Sequence, residues 1–420
     1  MTSKSLPFSK ERILEIINRY PTPFHIYDEA AIRQNARKFL KFFGILEGFR
    51  QFFAVKATPN PYILRIMQQE GFGVDCSSYA ELEMAERVGF EGEEIMFSSN
   101  DTPAEDFIKA KELGAIINLD DISHINYLEK AAGIPDLICL RYNPGPARKG
   151  NEIIGKPEEA KYGLTREQML EAYEILKSKG AKRFGMHTMI VSNELHENYF
   201  VETARMMFEL AIEVFNKTGI KVEFVNLGGG IGIPYKAEQE PASYEGIAQG
   251  VKKAYDEIIV KNNLHHVKIF TECGRVITGP YGYLVTRVRH LKHIYKDYVG
   301  TDASIANLIR PALYGAYHHI TVLGKENAPK NNVYDVTGSL CENNDKFAIN
   351  RELPEIVPGD VLVIHDTGAH GFAMGFNYNG KLRSAELLLR KDGSVIQIRR
   401  AETIKDYFAT LDFEGAVKIE

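Results

Sequence analysis

A rhythm in the chain narrows its fold more than any other feature. Between about Thr22 and Phe270, short apolar runs alternate with longer helical patterns, as in parallel strands joined by helices. Ile95-Met96-Phe97 reads as a strand, Thr102-Pro103-Ala104-Glu105 offers a capping box with proline at the first helical position, and Phe107, Ile108, Ala110 and Leu113 follow at helical spacing until Gly114. Ala115-Ile116-Ile117-Asn118-Leu119 is the next strand. The pattern recurs in Asp136–Arg141, Arg183–His187, Glu223–Leu227 and Val267–Glu272. Counted from Ile26 and Phe53 onward, about eight strands fit, which predicts a (β/α)8 barrel. Chemistry in that fold gathers at the strand C-termini, and Lys56, Asp75, His187, the Gly228 cluster and Glu272 all lie at or just after such ends.

After about Arg275 the texture becomes mainly β. Tyr283–Val288, Val333–Val336, Val361–Ile364 and Leu387–Arg390 read as strands, with turn signals at Pro358-Gly359-Asp360 and Lys391-Asp392-Gly393. The expected class is therefore α/β plus all-β. A barrel spans residues 22–275, and a β-sandwich or barrel-like domain is built from 1–21 and 276–420.

Composition excludes several function classes. The chain has 420 residues, 44% hydrophobic and 25% charged, enough for two domains with their own cores. A net charge of -5 without basic stretches gives nucleic acid or an anionic membrane nothing to bind. Neither a signal peptide nor a run of about 18 apolar residues is present, so a cytoplasmic protein is expected. Cys76, Cys139, Cys273 and Cys341 have no paired spacing, and the His265-His266 and His318-His319 pairs lack a ligand set, so no metal site is expected.

Two local motifs carry chemistry. Lys56 ends the apolar run Phe52-Phe53-Ala54-Val55, and the chain then turns through Pro59 and Pro61. A strand-end lysine whose burial lowers its pKa suits Schiff-base chemistry with an aldehyde, although the same residue alone would pass for a strand-edge lysine. Gly228-Gly229-Gly230-Ile231-Gly232-Ile233-Pro234 directly follows a strand and lets backbone amides approach an anion, without matching a P-loop or a dinucleotide fingerprint. Together the two suggest a phosphorylated aldehyde cofactor.

Ala54-Val55-Lys56-Ala57, the glycine cluster through Tyr235, Glu272-Cys273-Gly274-Arg275, Leu308-Ile309-Arg310-Pro311-Ala312-Leu313-Tyr314 with Ala316-Tyr317-His318-His319, and Cys341-Glu342 occur in an order that resembles the diaminopimelate decarboxylases. The resemblance covers nearly the whole chain. It implies pyridoxal 5'-phosphate on an alanine-racemase-like barrel, with Lys56 holding the cofactor and Glu272 keeping its ring nitrogen protonated. Gly228, Gly229, Gly230, Ser192, Gly274 and Arg275 would bind the phosphate, and Asp75 would support the cofactor. Arg310 and Tyr314, assisted by Arg275, would recognise the substrate's distal carboxylate, and Glu342 its distal ammonium. Cys341 would protonate the carbon that loses carbon dioxide. The Cys-Glu segment would enter the neighbouring subunit's site, implying an obligate homodimer acting on a small amino acid.

Three departures mark a divergent subgroup. The family's His-x-His-Ile-Gly-Ser becomes His187-Thr188-Met189-Ile190-Val191-Ser192, so either Met189 covers the ring or a backbone shift lets His187 do so, the first being preferred. His370 replaces a tyrosine that contacts cofactor and substrate. Asn343-Asn344 follow Cys341-Glu342 where serine and glycine are usual, and Cys273 replaces a proline. The expected reaction is decarboxylation of meso-2,6-diaminopimelate at its D-centre to L-lysine and carbon dioxide. The alternatives are a decarboxylase of the ornithine, lysine or arginine type and a catalytically silent, cofactor-binding regulatory relative. Retention of Lys56, Cys341 and Glu342 speaks against the last.

Overall fold

A computed structural model describes residues 4–150, 153, 155–413 and 415. They form two compact units, Ala31–Pro280 and a second made of the residues up to Ala30 with those from Tyr281 onward. The strand β1 (Phe24–Asp28), expected to open the barrel at Ile26, belongs to the second unit instead. It pairs with segments that follow residue 280, which moves the unit boundaries from 22 and 275 to 30 and 280.

The barrel closes through β2 (Arg50–Ala54), β3 (Gly73–Cys76), β4 (Ile95–Ser98), β5 (Ile116–Leu119), β6 (Leu137–Tyr142), β7 (Arg183–Thr188), β8 (Phe224–Asn226) and β9 (Lys268–Thr271), with β9 returning to β2. The strand that replaces Ile26 in the count is β3, which carries Asp75 where a strand end was already expected. Phe52, Met96, Ile116, Leu137, Cys139, Phe224 and Phe270 form one buried apolar cluster. Phe224 and Phe270 stack at 4.4 Å, and Gly185 lacks a side chain beside them because a Cβ there would fall 2.0 Å from the Phe224 ring. Each buried ring contributes roughly 2–3 kcal/mol.

Strand side chains repeat with period two, so the residue two further along each strand lies on the same face. Ser98 follows Met96, Asn118 follows Ile116, Arg141 follows Cys139, His187 follows Gly185, Asn226 follows Phe224 and Glu272 follows Phe270. The apolar floor is thus topped by a polar layer at the strand C-termini. Arg141, His187 and Asn226 are direct register partners across β6, β7 and β8.

The helix Ala104–Glu112 departs from its expected start: Pro103 is the N-cap, and neither it nor Thr102 supplies a side-chain cap. Pro103 O accepts the first helical bond from Phe107, and Glu105 and Asp106 place negative charge in the first turn.

In the second unit, among the described residues, a nine-stranded mixed sheet contains β1, β10 (Gly282–His293), β11 (Asp297–Thr301), β12 (Ile320–Val322), β13 (Asn332–Thr337), β14 (Lys346–Leu353), β15 (Val361–Ile364), β16 (Ala385–Leu389) and β17 (Val395–Arg399). β1 lies between β10, antiparallel, and β16, parallel. The helix Lys10–Arg19, capped by Ser9, buries Ile13, Ile16 and Ile17 against a cluster that includes Phe24, Ile26, Val285 and Leu387. A second cluster joins Leu284, Val299, Val336, Phe347 and Leu362.

Candidate active site

Lys56 lies in a short helical turn immediately after β2, its flanking Val55 and Ala57 buried and its own side chain exposed. The expectation of a buried lysine is therefore corrected: the buried neighbours hold the backbone while the amine remains open to an incoming aldehyde. Gly274 lets this turn meet the segment after β9, since a Cβ there would lie 2.7 Å from Ala57 Cβ.

Glu272 is buried just beyond β9, with both oxygens engaged. His187 Nε2 lies 2.9 Å from Oε2, and Asn226 Nδ2 donates to Oε1 at 2.7 Å. Burial opposes ionisation of Glu272, but His187, then Lys56 and Arg141, outweigh it and hold its pKa below the ordinary carboxylate value. Asp75, in β3, goes the other way. Burial, then the charge of Glu272, push its pKa well above the usual range against the pull of Lys56 and Arg141. Two carboxyls in one layer are thereby driven to opposite protonation states. Arg141 lies 3.4 Å from Asp120 and stacks at 4.0 Å over the Tyr162 ring.

The glycine turn leaves no room for side chains. Gly228 and Gly230 have φ of +68° and +99°, and a Cβ would fall 2.3 Å from Thr188 O at the first and 2.6 Å from Val191 O at the second. A Cβ on Gly229 would fall 2.6 Å from Glu272 O. Nearby, Arg275 donates to the Tyr235 hydroxyl at 2.7 Å and to Ser192 Oγ at 3.3 Å. Met189, half-buried, accepts the Gly229 N–H on its sulfur at 3.3 Å.

The structure thus brings Asp75, His187 and Glu272 into one electrostatic group with Lys56, and Met189, Ser192 and Arg275 to the glycine turn or its neighbours. Asn226, Arg141 and Tyr235 were not singled out from the sequence. Asn226 had a signal: a polar residue inside an otherwise apolar strand, two positions before the turn.

The second unit holds the other candidates. Arg310 is buried and Tyr314 exposed on the helix Arg310–Tyr314, the guanidinium 5.7 Å from the ring centroid as their spacing of one helical turn allows. Cys341 and Glu342 are exposed in a loop fastened at its ends. Cys341 N–H donates to Asn379 Oδ1 at 2.7 Å, and buried Asp345 accepts Leu340 N–H at 2.8 Å and Ile305 N–H at 2.7 Å. His370 is half-buried at φ +55°, a left-handed conformation uncommon outside glycine. A Cβ on the next residue, Gly371, would meet Thr367 O at 2.3 Å.

Residues 29–279 match the family described as pyridoxal-dependent decarboxylase, pyridoxal binding domain. The chain belongs to the pyridoxal-dependent decarboxylases; it is a carboxy-lyase whose cofactor is pyridoxal 5'-phosphate. Relatives of similar length extend the likeness over both units. Protein TabA of Pseudomonas amygdali pv. tabaci is 42% identical over 400 residues, 95% of this chain and 93% of its own. Diaminopimelate decarboxylase of Methanothermobacter thermautotrophicus is 35% identical over 396 residues, 94% and 92% respectively. The crystal structure of diaminopimelate decarboxylase from M. jannaschii in complex with L-lysine superposes with a TM-score of 0.88 at 29% identity, covering 95% of this chain and 94% of that one.

The barrel residues fit this cofactor. An open amine faces an aldehyde's needs, an ionised carboxylate suits a protonated pyridine nitrogen, and a side-chain-free turn beside Arg275 and Ser192 suits a phosphate. Asp75 Oδ1 and His187 Nδ1 are buried without a hydrogen-bond partner among the described residues, as expected of polar atoms in a ligand-binding layer. Among the described residues no helix is long and apolar enough to cross a membrane.

Proposed function

We propose that the chain decarboxylates meso-2,6-diaminopimelate at its D-centre, releasing carbon dioxide and L-lysine. The observation that carries this reading is near-full-length similarity to diaminopimelate decarboxylases in a chain that presents Lys56, Glu272 and the glycine turn at one barrel mouth. Bound pyridoxal phosphate supplies the electron sink for the bond that releases carbon dioxide. Lys56 holds the cofactor and yields to the substrate's amine. Glu272 keeps the ring nitrogen protonated, while Gly230, Ser192 and Arg275 hold the phosphate and Gly229 gives its N–H to the Met189 sulfur at 3.3 Å. The Gly228 N–H is committed to Asn226 Oδ1 at 2.9 Å, so Gly228 serves the turn's shape. Asp75 and Gly274 support the cofactor. Because His187 is bonded to Glu272, Met189 is the residue that covers a ring face, through its sulfur and methyl.

Arg310 and Tyr314, with Arg275, read the distal carboxylate, and Glu342 reads the distal ammonium. A substrate lacking that carboxylate forgoes the bidentate contact with the guanidinium, and this sets the preference against lysine-like amino acids. His370 contacts cofactor and substrate, and Cys341 delivers the proton to the carbon that has lost carbon dioxide. The exposure of Cys341 and Glu342 on a tethered loop supports a homodimer in which each subunit completes its partner's site. Four free cysteines accord with a cytoplasmic enzyme.

A second reading, decarboxylation of another basic diamino acid, is favoured by Met189 and His370, which stand where the family usually has other residues. A substrate panel separates the two. Turnover of meso-diaminopimelate at least about a hundredfold above ornithine, lysine and arginine supports the first, the margin set by a site built to pair a polar group. The reverse order selects the second.

A further inference from the structure

Asn226 is fully buried at the end of β8 and closes a ring of three hydrogen bonds. Glu272 N–H donates to Gly228 O at 2.8 Å, Gly228 N–H donates to Asn226 Oδ1 at 2.9 Å, and Asn226 Nδ2 donates to Glu272 Oε1 at 2.7 Å. The carbonyl of the first turn glycine is thereby tied to Glu272 directly and its N–H through Asn226. The ring joins the two parts of the barrel that serve opposite ends of the cofactor, the glycine turn and the ring-nitrogen carboxylate. His187, the register partner of Asn226, holds the other Glu272 oxygen, so the carboxylate cannot rotate without breaking a bond.

We propose that Asn226 is a positioning residue that fixes the Glu272 carboxylate relative to the glycine turn and, as a neutral donor, keeps that carboxylate ionised toward the cofactor. An amide is suited to this place because one end must accept from Gly228 and the other must donate to Glu272. A carboxylate of the same shape satisfies the first contact and opposes the second. The inference rests on the cofactor, not on the substrate, so failure to turn over diaminopimelate would overturn the proposed reaction and leave this one standing.

The test is titration of purified apo-protein variants with pyridoxal phosphate, read by visible absorbance across pH. Asn226→Asp keeps the Gly228 contact and places a second carboxylate beside Glu272. It is expected to weaken pyridoxal phosphate about ten- to a hundredfold and to raise the pH midpoint of the bound cofactor's spectral transition, because paired carboxylates retain a proton. In a Glu272→Gln background the donor and acceptor are exchanged, and Asn226→Asp should then cost less than about threefold, a non-additivity expected only of residues in contact. Asn226→Ser removes the amide without adding charge, guards against misfolding of the first variant, and should weaken binding and raise the midpoint by less than Asn226→Asp does. Wild-type affinity and midpoint in Asn226→Asp, or losses that simply add in the double variant, would overturn the proposal.

Discussion

At residue scale the proposed chemistry rests on a single amine, Lys56, and a single carboxylate, Glu272. Lys56→Ala should abolish lysine formation and the visible absorption of lysine-bound cofactor together, while a circular dichroism spectrum unchanged from wild type would show the fold intact. Replacing Arg310 by leucine should raise KM for diaminopimelate about a hundredfold, within the roughly 2–5 kcal/mol typical of truncating a buried charge pair, and leave cofactor absorbance unaltered. An equal loss of both would assign Arg310 to the fold. The lysine, the carboxylate and the glycines were legible in the sequence because each sits beside a strand end. The exposure of Lys56 was not, since the same apolar run that marks β2 says nothing about which way its last turn opens. Asn226 and Arg141 escaped notice for a related reason: their roles come from neighbours on adjacent strands, far apart in sequence and joined only by register.

Elements decide how firmly these residues are presented. The Cys341 loop is anchored by Asn379 on one side and Asp345 on the other. Asn379→Ala removes the bond to Cys341 N–H and should lower kcat several-fold with cofactor affinity unchanged. Loss of cofactor along with turnover would contradict a role confined to presenting Cys341. Gly228→Ala tests the turn itself. Its positive φ and the 2.3 Å approach to Thr188 O predict weaker cofactor binding and a loss of stability greater than about 1 kcal/mol, read by thermal unfolding. Period and turn chemistry revealed most strands, and the strand end at Asp75, but β1 resembles a barrel strand until its partners are known. The helix at Ala104 likewise starts without the side-chain cap its sequence advertises, because Pro103, which has no polar side chain, occupies the N-cap in place of Thr102.

At the scale of the whole molecule, the proposed homodimer and the response to pH can be tested. Mixing inactive Lys56→Ala and Cys341→Ala subunits should restore about a quarter of wild-type activity, since half of random dimers are mixed and each carries one intact site. No recovery would confine each site to one chain. In the second unit, burial depresses His25 from 6.5 to about 4, with a hydrogen bond to Asn307 O opposing. With the folded pKa below the unfolded one, the unfolded chain takes up the proton first. This contribution to stability, about 3 kcal/mol, is complete above pH 6.5 and is lost as pH falls toward 4. Asp366, raised by burial to about 6 against the pull of Lys4, acts oppositely: its contribution is full below 3.8 and lost as pH rises through 6. Thermal unfolding of His25→Gln should therefore depend less on acid than that of wild type. An identical pH profile would remove His25 from the acid response. The two-domain class was legible from the change of texture after residue 275, whereas the crossing of β1 into the second sheet required the pairing itself.

The decisive measurement is a stereospecific assay of purified protein with pyridoxal phosphate and meso-diaminopimelate, following carbon dioxide and L-lysine in equal amounts, with Lys56→Ala alongside. Stoichiometric L-lysine that disappears in the variant is the predicted result. Bound cofactor with no lysine from meso-diaminopimelate would contradict the proposed reaction.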